Sequence, residues 1–518
     1  MIGQTKFRGQ ADDADDADDA AAARLVDGFE GIVHEFGVRD DFPQEVLAEV
    51  ALSTSPGALV SLLDDPLRID LTHLGFVTLD PASSTDLDQA FCIEMAPDQQ
   101  TLILHYAIAD VGAFVARGSA LEHEAWSRGE TIYAPHRRIP LYPPTLCEGA
   151  GSLLPGSRKP AIELLVEQSP DGGVLFRSAR RCVIQSQAKL AYETVEVSSV
   201  PFLEEFARRS ELAEQRRGAM RSDLPEQELK ATKDGHFELE LRSLLPSETA
   251  NAALSLSANI AAATFLAELE VGLFRVMQLP DEAATASLHR LARALKLTWH
   301  SNTSLGEFQR SLRADLPRDR AFLVAARRAG GGASYATKGC DPTTDVEKPF
   351  HAAIAAQYLH ATAPLRRLAD RYVLDLLCDL TPLADPAKSA PTATRKTLAA
   401  LPAVMRASGS QAAKIERAAV DLAECILLER SVGSTFVGTV LESGDTGAVV
   451  QIADPPVRAR LNRSATTHGA VAGAVIEVQL VGVDVVKRSL SFSVNEAAPA
   501  TEEPDDKPAT EPATEPST

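Results

Sequence analysis

The sequence predicts an α+β fold in which a large domain with a central β-sheet and many helices precedes a small five-stranded β-barrel of the OB type. Three observations lead to this prediction. Short runs of alternating apolar and polar residues, separated by turn residues, dominate residues 76–184. Helical periodicity takes over from Tyr192 to Glu429, and five short strand-like runs follow Val432. At roughly 150 residues per domain, the 518 residues correspond to about three domains.

Both ends of the chain are acidic and of low complexity, so neither can bury a core. Residues 1–20 carry six aspartates against two basic residues, and residues 496–518 carry seven acidic residues against one lysine. These tails hold almost half of the formal net charge of −21, a value that by itself argues against a nucleic-acid partner. Net charge is therefore a poor guide to the partner of the remaining body. Most of its local arginine pairs, of which Arg137-Arg138 is one, are interpreted as solvated surface.

Residues 21–65 have a short helical pattern. Pro43 stands where a first helical turn tolerates proline, and a Ser-Pro-Gly break at residues 55–57 separates two apolar runs. Two small helices around a turn fit this pattern. The pair is compatible with a helix-turn-helix, but a hairpin that simply docks on the rest of the chain is favoured, because every helical hairpin has this appearance in sequence.

The large domain contains six long helical stretches, at residues 200–221, 248–274, 283–297, 304–328, 352–380 and 393–429. The most apolar part, residues 252–274, is interrupted by Ser255, Asn259 and Glu268, which indicates a buried core helix and not a membrane span. No apolar leader opens the chain, and its six cysteines lie far apart without a C-x-x-C pair. We therefore expect a cytoplasmic protein with no membrane partner, no disulfide framework and no cysteine-based zinc site.

Five strand-like runs predict the C-terminal barrel. They are residues 435–440, 448–452, 457–461, 475–481 and 489–494. Gly433, Gly438, Gly447 and Gly473 stand at the breaks, as is typical of a small barrel with tight turns.

The densest chemical signal is the loop of residues 78–90, which follows a strand-like run. Asp80, Asp86 and Asp88 lie within nine residues, bounded by proline and small residues. Hard cations such as Mg²⁺ take several oxygen ligands at about 2.1 Å, and carboxylates on one tight loop can supply them. The alternatives are an acidic surface turn or a Ca²⁺ loop. The EF-hand pattern fails, since its glycine at the sixth position and its glutamate at the twelfth are absent.

This loop resembles the signature of the RNase II (RNB) family of 3′→5′ exoribonucleases, T-I-D followed by a short gap and D-[LMI]-D-D-A. The resemblance continues in order to residue 421. The further matching segments are AIADV at 107–111, Tyr133 with IPLYP at 139–143, AKLAY at 188–192, YLHATAPLRRLAD at 358–370 and ERAAVD at 416–421. The C-terminal barrel is similar to the S-one type RNA-binding module that ends these enzymes.

The resemblance implies Mg²⁺-dependent, processive hydrolysis of RNA from single-stranded 3′ ends to nucleoside 5′-monophosphates. Such chemistry needs an activated water and positive charge at the phosphate. Asp80, Asp86 and Asp88 match metal-binding positions, and Asp86 and Asp88 are also expected to be catalytic. Arg366 matches an arginine aimed at the scissile phosphate, where a planar guanidinium contacts two oxygens at once.

The resemblance also implies contacts with the RNA itself. Tyr133 matches a residue that packs on the 3′-terminal nucleotides, and base stacking contributes about 1–3 kcal/mol without sequence preference. Tyr192 matches a position near a ribose 2′-hydroxyl, the group that distinguishes RNA from DNA. Arg366, Arg367, His360 and Glu416 complete the expected RNA-binding set.

The sequence departs from the family pattern at several positions. Gln89 replaces the last aspartate of the signature, so one anionic ligand becomes an amide whose carbonyl oxygen can still coordinate a metal more weakly. Ala361 and Ala363 replace an aromatic and a hydroxyl residue. The acidic pair expected before Ala258-Asn259 is replaced by Ala252-Ala253, which removes one expected ribose contact.

The largest departure is at the N-terminus. Typical members begin with two cold-shock barrels of roughly 70 residues each, whereas only about 65 residues of helical pattern precede the catalytic loop here. We therefore expect a shortened form without the cold-shock pair. A more open entrance to the channel would then let structured RNA approach it.

These observations together predict a monomeric exoribonuclease. The alternative is a catalytically silent RNA-binding protein on the same scaffold, suggested by Gln89 and the altered segment around His360. The predicted division is an acidic tail (1–20), a helical segment (21–65), an RNB catalytic domain (66–430), an OB-type barrel (432–495) and a second acidic tail (496–518).

Overall fold

The computed structural model describes residues 14–220, 224–231, 237–381, 391–444, 447–452, 454–462 and 471–494. Most of the tail predicted at 1–20 and all of the tail predicted at 496–518 lie outside the described residues. The predicted α+β class is confirmed, since a central mixed sheet, many helices and a five-stranded barrel are all present.

Helices make up much of the described chain. They are α1 (Ala14–Glu35), α2 (Gln44–Ser53), α3 (Pro56–Leu63), α4 (Ala120–Arg128), α5 (Leu203–Arg217), α6 (Pro246–Glu268), α7 (Glu282–Ala294), α8 (Leu305–Arg310), α9 (Pro317–Ala329), α10 (Leu368–Leu380) and α11 (Thr392–Leu428). Of the unbroken helices described, α6 alone is long and apolar enough to span a membrane, but 61% of its most apolar stretch is buried inside the fold.

The strands fall into one large sheet, one barrel and three two-stranded pairs. They are β1 (Ile69–Asp70), β2 (Val77–Asp80), β3 (Gln89–Met95), β4 (Leu102–Ala109), β5 (Ile132–Tyr133), β6 (Arg138–Ile139), β7 (Arg158–Gln168), β8 (Val174–Gln185), β9 (Ala188–Ala191), β10 (Glu226–Ala231), β11 (Phe237–Arg242), β12 (Gly272–Val276), β13 (Ser334–Lys338), β14 (Thr435–Gly444), β15 (Gly447–Ile452), β16 (Arg458–Asn462), β17 (Val475–Asp484) and β18 (Ser489–Val494).

The large sheet has the strand order β1-β8-β7-β4-β3-β2-β9. Neighbouring strands are antiparallel except for β1 beside β8 and β2 beside β9. Its central strand β4 is buried on both faces near its end, where Tyr106, Ala107 and Ile108 are fully buried. Helices α6 and α10 pack against the sheet, so the end of β2 and the start of β3 are held in a rigid core.

Three predicted helical stretches are wrong in part. The stretch 304–328 is broken into α8 and α9, with residues 311–316 outside both helices. The stretch 248–274 ends as a helix at Glu268, and its last residues belong to β12. In the stretch 352–380 only α10 is helical. The preceding segment, residues 359–367, contains Pro364, which disfavours helix in the residue before it. Backbone N–H groups of this segment donate to side chains of the core, and these bonds replace helical ones.

The N-terminal helices dock on the catalytic domain. Helix α1 packs against α11, and α2 packs against α4. The β10–β11 hairpin, which the helical pattern after Tyr192 did not predict, contacts α11 through a hydrogen bond from Gln227 to Glu424.

The C-terminal barrel confirms the prediction of five strands. Its order is β16-β15-β14-β17-β18, and β16 approaches β18 to nearly close it. Leu428 at the end of α11 belongs to the barrel core, so this helix connects the barrel rigidly to the catalytic domain.

Candidate active site

The acidic loop lies where β2 ends and β3 begins. Asp80 is the last residue of β2 and Gln89 is the first of β3, with Asp86 and Asp88 in the loop between them. The segment 359–367 crosses this loop, although it follows about 270 residues later in the chain. The fold therefore brings together the two densest motifs of the sequence.

Asp88 is the most enclosed of the acidic side chains, with 5% of its surface exposed. Its Oδ1 accepts a hydrogen bond from the backbone N–H of Leu365 at 2.7 Å, and its Oδ2 accepts one from Nε of Arg366 at 3.2 Å. Burial raises the pKa of Asp88 to about 7, although the charge of Arg366 opposes the rise. Asp88 thus fixes the backbone and the guanidinium of the crossing segment at once.

Arg366 remains partly open to solvent. Its side chain is 41% exposed, and only its Nε has a hydrogen-bond partner among the described residues. Its backbone is held on the other side, because the N–H of Thr131 donates to the carbonyl of Arg366 at 3.0 Å and the N–H of Leu368 donates to the carbonyl of Gly129 at 2.9 Å. The two Nη groups of a rigidly anchored guanidinium are therefore available to an anion.

Asp80 and Asp86 lie near this pair but have different surroundings. Burial raises the pKa of Asp80 to about 6, and the neighbouring charge of Asp86 adds to the rise. Asp86 instead forms an ion pair with Nη1 of Arg138 at 2.5 Å. The other Nη group of Arg138 bonds Thr85 at 2.6 Å and Glu148 at 2.7 Å.

Arg138 is an exception to the expectation that most arginine pairs are solvated surface, because three groups around the acidic loop hold it in place. The one available signal was its position directly before the I-P segment of the family pattern.

The side chain of Gln89 connects strands β3 and β4 with the segment 359–367. Its Nε2 donates to the carbonyl of Thr362 at 2.6 Å, and its Oε1 accepts a hydrogen bond from the hydroxyl of Tyr106. The amide thus ties β3 to the crossing segment and to β4. The bond from Tyr106 uses one lone pair of Oε1, and the second lone pair is left for a metal ion. The expected role of Gln89 as a metal ligand stays a prediction.

The donor set suits a hard cation by its chemistry, because its members are all carboxylate or amide oxygens. The raised pKa values of Asp80 and Asp88 indicate negative charge that is poorly solvated. Within the described residues, no three His, Cys, Asp or Glu side chains already converge as ligands. The carboxylate of Asp86 is paired with Arg138, and that of Asp88 is bonded to Leu365 and Arg366. A bound cation would therefore share these carboxylate oxygens with their present partners.

Two predicted RNA contacts flank the loop. Tyr133 on β5 is 52% exposed. Tyr192 follows β9, next to Asp80, and burial raises its pKa to about 12. Its hydroxyl accepts a hydrogen bond from Nδ2 of Asn251 at 2.7 Å. Asn251 directly precedes Ala252-Ala253, so a polar side chain does lie at this position of α6, although the sequence pattern did not single it out.

Of the remaining predicted RNA contacts, His360 and Arg367 are only partly exposed to solvent, whereas Glu416 is exposed. The Nδ1 of His360 bonds the hydroxyl of Tyr335 at 2.7 Å, and burial lowers the pKa of His360 well below its ordinary value. Arg367 pairs with the fully buried Asp370 at 2.7 Å. Glu416 is exposed on α11 and lines a separate cavity of about 590 Å³ between the catalytic domain and the barrel, beside Arg328 and Arg458. Their contacts with RNA stay predictions.

Comparisons with known proteins agree with this arrangement. The profile of the RNB domain matches residues 68–381, and the profile of the RNase II-type exonuclease C-terminal S1 domain matches residues 434–495. Ribonuclease R of Mycoplasma pneumoniae is 29% identical over 405 residues, which cover 72% of this chain and 54% of that protein. The inactive exonuclease DIS3L2 of Arabidopsis thaliana is 33% identical over 195 residues, covering 33% of this chain and 18% of that protein.

Solved structures show the same fold. RNase R of Mycoplasma genitalium superposes with a TM-score of 0.80 in its apo form, at 20% identity, covering 91% of this chain and 78% of that one. Its complex with double-stranded RNA gives a TM-score of 0.77 at 21% identity, covering 91% and 83%. The chain spans about half or less of the curated relatives it matches. Because the RNB profile covers more than half of its residues and the S1 profile follows, the chain belongs to the RNB-domain family of RNase II-type proteins.

Proposed function

We propose that this protein is a 3′→5′ exoribonuclease that hydrolyses RNA processively to nucleoside 5′-monophosphates with the help of Mg²⁺. One observation carries the proposal. Asp88 and Arg366, the two residues that the chemistry needs most, are 278 positions apart in sequence and bonded to each other at the end of the sheet. A buried carboxylate that orients an arginine whose guanidinium stays partly exposed is expected of a phosphate-binding catalytic site.

The residues divide the work as follows. Arg366 binds the non-bridging oxygens of the scissile phosphate through its Nη groups and neutralises charge that develops there. Asp80, Asp86 and Asp88 would hold Mg²⁺, with the carbonyl oxygen of Gln89 as a neutral fourth donor. When bound, the metal supplies Lewis-acid chemistry at the phosphate and activates the attacking water. Asp88 also orients Arg366 through its bond to Nε.

In this proposal, the aromatic side chains of Tyr133 and Tyr192 bind the RNA chain. The exposed ring of Tyr133 stacks on a base near the 3′ end, which requires no particular sequence. The hydroxyl of Tyr192, oriented by Asn251, lies beside Asp80 and contacts a ribose 2′-hydroxyl. This contact accounts for a preference for RNA over DNA. Arg367, His360 and Glu416 line the route of the strand in this proposal.

Structured RNA is included among the proposed substrates. Helices α1, α2 and α3 form the described segment that precedes the large sheet. A structure of Mycoplasma genitalium RNase R, which shares the fold, is of its complex with double-stranded RNA. The protein is proposed to act as a cytoplasmic monomer. A duplex with a 3′ overhang tests the substrate range: degradation that stops as far from the duplex as in a homologue with three barrels contradicts it.

A catalytically silent RNA-binding protein is the second candidate. Gln89 favours it, because an amide in place of a carboxylate weakens the metal site, and one relative is named an inactive exonuclease. The test is incubation of a 5′-labelled oligo(A) with the protein and Mg²⁺, beside the Asp88→Asn variant. Stepwise shortening by the wild type alone supports the exonuclease. Binding by both proteins without shortening supports the silent RNA-binding protein.

A further inference from the structure

We propose that helix α1 contributes to the active site: its residue Glu30 positions the β5–β6 hairpin and, through it, the side chains of Tyr133 and Arg138. This inference rests on the proposed function, because the placement of these side chains matters only if RNA binds beside the acidic loop. None of the motifs that resemble the family lies in α1.

The hairpin has one buried and one open face. Its two strands pair Ile132 with Ile139 and Tyr133 with Arg138. Cross-strand partners lie on the same face of a pair, and successive residues lie on opposite faces. Ile132 and Ile139 are buried, at 7% and 2% exposed. Tyr133 and Arg138 therefore share the other face, which is the face turned toward Asp86.

The buried face rests on α1. Ile132 and Ile139 belong to a hydrophobic cluster that includes Phe29 of α1 and side chains of α11. A Cβ atom on Gly28 would collide with Leu422, so α1 and α11 cross at close range in this cluster. With two residues in each strand, the hairpin is too short to be stable alone. It takes its position from the cluster that α1 and α11 form beneath it.

The turn of the hairpin is bonded to Glu30. The two carboxylate oxygens of Glu30 accept hydrogen bonds from Nε and Nη2 of Arg137, each at 2.7 Å, and Nε2 of His136 lies 2.9 Å from Oε1. The ring of Phe29 stacks on His136 with centroids 5.4 Å apart. A two-pronged carboxylate–guanidinium contact fixes direction as well as distance. Two neighbouring residues of α1, Phe29 and Glu30, therefore hold the last two residues of the turn.

The residue that Glu30 holds is adjacent in sequence to a residue that contacts the acidic loop. Arg137, held by Glu30, is followed directly by Arg138, which pairs with Asp86. A displaced turn would move Arg138 and its cross-strand partner Tyr133 together. Glu30 contacts neither of them and is thus a positioning residue.

The test measures RNA affinity and not turnover. In an Asp88→Asn background, which prevents degradation, fluorescence anisotropy of a labelled oligo(A) gives the dissociation constant. Glu30→Ala is expected to weaken binding about five-fold, within the range for loss of one stacked base. Tyr133→Ala should weaken it similarly. The double variant should lose less than the product of the two effects, because both act through one contact.

Arg24→Ala is the matched control. Arg24 is also on α1 and pairs with Glu429 at 2.7 Å, a residue outside the hairpin. Its removal should leave RNA affinity unchanged. Arg137→Ala removes the Glu30 contact from the hairpin side and replaces Glu30→Ala if that variant does not fold. Independent effects of Glu30→Ala and Tyr133→Ala, or equal losses in the Glu30 and Arg24 variants, overturn the inference. Failure of the proposed function is a different result, since the wild type would then not shorten RNA.

Discussion

The proposed active site has two sides that are built differently. The catalytic side consists of the β2–β3 loop and the segment 359–367, and the hairpin side consists of β5 and β6. The catalytic side lies in the main core, where side chains and buried backbone groups such as the N–H of Leu365 bind each other directly. The hairpin side lies outside that core and packs on α1, a helix that contains none of the motifs resembling the family.

The difference between the two sides corresponds to two tasks, chemistry at the phosphate on the catalytic side and binding of bases on the hairpin side. Groups expected to act on the phosphate need positions fixed to within a fraction of an ångström, and a rigid core provides this. Groups that stack on bases tolerate small shifts, because every base has a flat face. The two sides meet at the Arg138–Asp86 ion pair and at the backbone contacts of residues 129–131 with residues 366–368. Changes on the catalytic side should therefore lower turnover, and changes on the hairpin side should lower affinity.

The largest effect is expected for Asp88→Asn on the catalytic side. Loss of the buried carboxylate removes a metal donor and the charged partner of Arg366, so the rate of RNA shortening should fall by about a thousand-fold or more. The dissociation constant for oligo(A) should change little, since Asn still accepts the bond from Leu365. Asp98→Asn, an exposed carboxylate in the β3–β4 turn, should retain the wild-type rate. Equal rates in both variants would contradict the assignment.

Arg366→Ala should lower kcat by about a hundred-fold, the usual cost of one transition-state donor. Arg366→Lys should recover little of it, because an ammonium cannot make the two-pronged contact with a phosphate. Single-turnover shortening of a labelled oligomer measures the effect. Arg208→Ala, a surface arginine paired with Glu205, controls for lost positive charge. Full activity of the Lys variant would show that only charge matters at this position.

Arg367→Ala should act on stability, in contrast to its neighbour. Its guanidinium pairs with Asp370, whose carboxylate is fully buried. Removal of one partner leaves a buried charge uncompensated, so the free energy of unfolding should fall by about 3 kcal/mol. Urea unfolding measures it. The Arg366→Ala variant should differ from wild type by less than about 1 kcal/mol, because the Arg366 side chain is 41% exposed and the raised pKa of Asp88 lets the remaining carboxyl take up a proton. Similar losses in the two variants would remove the distinction.

Gly129→Ala should weaken the connection between the two sides. Gly129 has φ of +73°, and a Cβ atom there would lie 2.6 Å from the Cβ of Ser408 on α11. Strain and overpacking together should cost about 2 kcal/mol. Ser408→Gly in the same chain should restore the part that is due to the collision, which leaves about 1 kcal/mol for the backbone. No restoration in thermal unfolding of the double variant would contradict the collision.

The sequence predicted the catalytic side better than the hairpin side, for a physical reason. Three aspartates on one loop and an arginine in a long motif are local patterns, and alternation predicted the strands that carry them. The side-chain contacts of α1 are long-range: Glu30 and Arg137 are 107 positions apart, and each alone resembles solvated surface.

The wrong helical prediction for residues 352–367 has a related cause. Its alanines and leucines favour helix by propensity, but the N–H groups of Ala361, Ala363 and Leu365 bond the side chains of Asn259, Asp370 and Asp88. Tertiary contacts thus override propensity where the catalytic segment must cross the sheet. No local pattern contains that information, because each acceptor lies in another part of the fold or beyond the segment.

The smallest effect is expected at Gln89. Its side chain has a structural role, through its bonds with Thr362 and Tyr106, and a predicted role as a metal ligand. Gln89→Asp shortens the side chain and removes the donor to the buried carbonyl of Thr362, which should cost about 1 kcal/mol in unfolding. It also adds a carboxylate beside Asp88, and ligand charge strengthens the binding of hard cations. The Mg²⁺ concentration for half-maximal activity, and that for half-maximal thermal stabilisation, should therefore both fall several-fold.

Gln89→Asn separates these two effects, because it has the length of Asp without the charge. The Asn variant should lose the same stability as the Asp variant and need at least as much Mg²⁺ as the wild type. If the Asp and Asn variants respond equally to Mg²⁺ in thermal unfolding, the side chain at position 89 lies outside the metal site. The function of Gln89 is then confined to its bonds with Thr362 and Tyr106, which hold the crossing segment against the sheet.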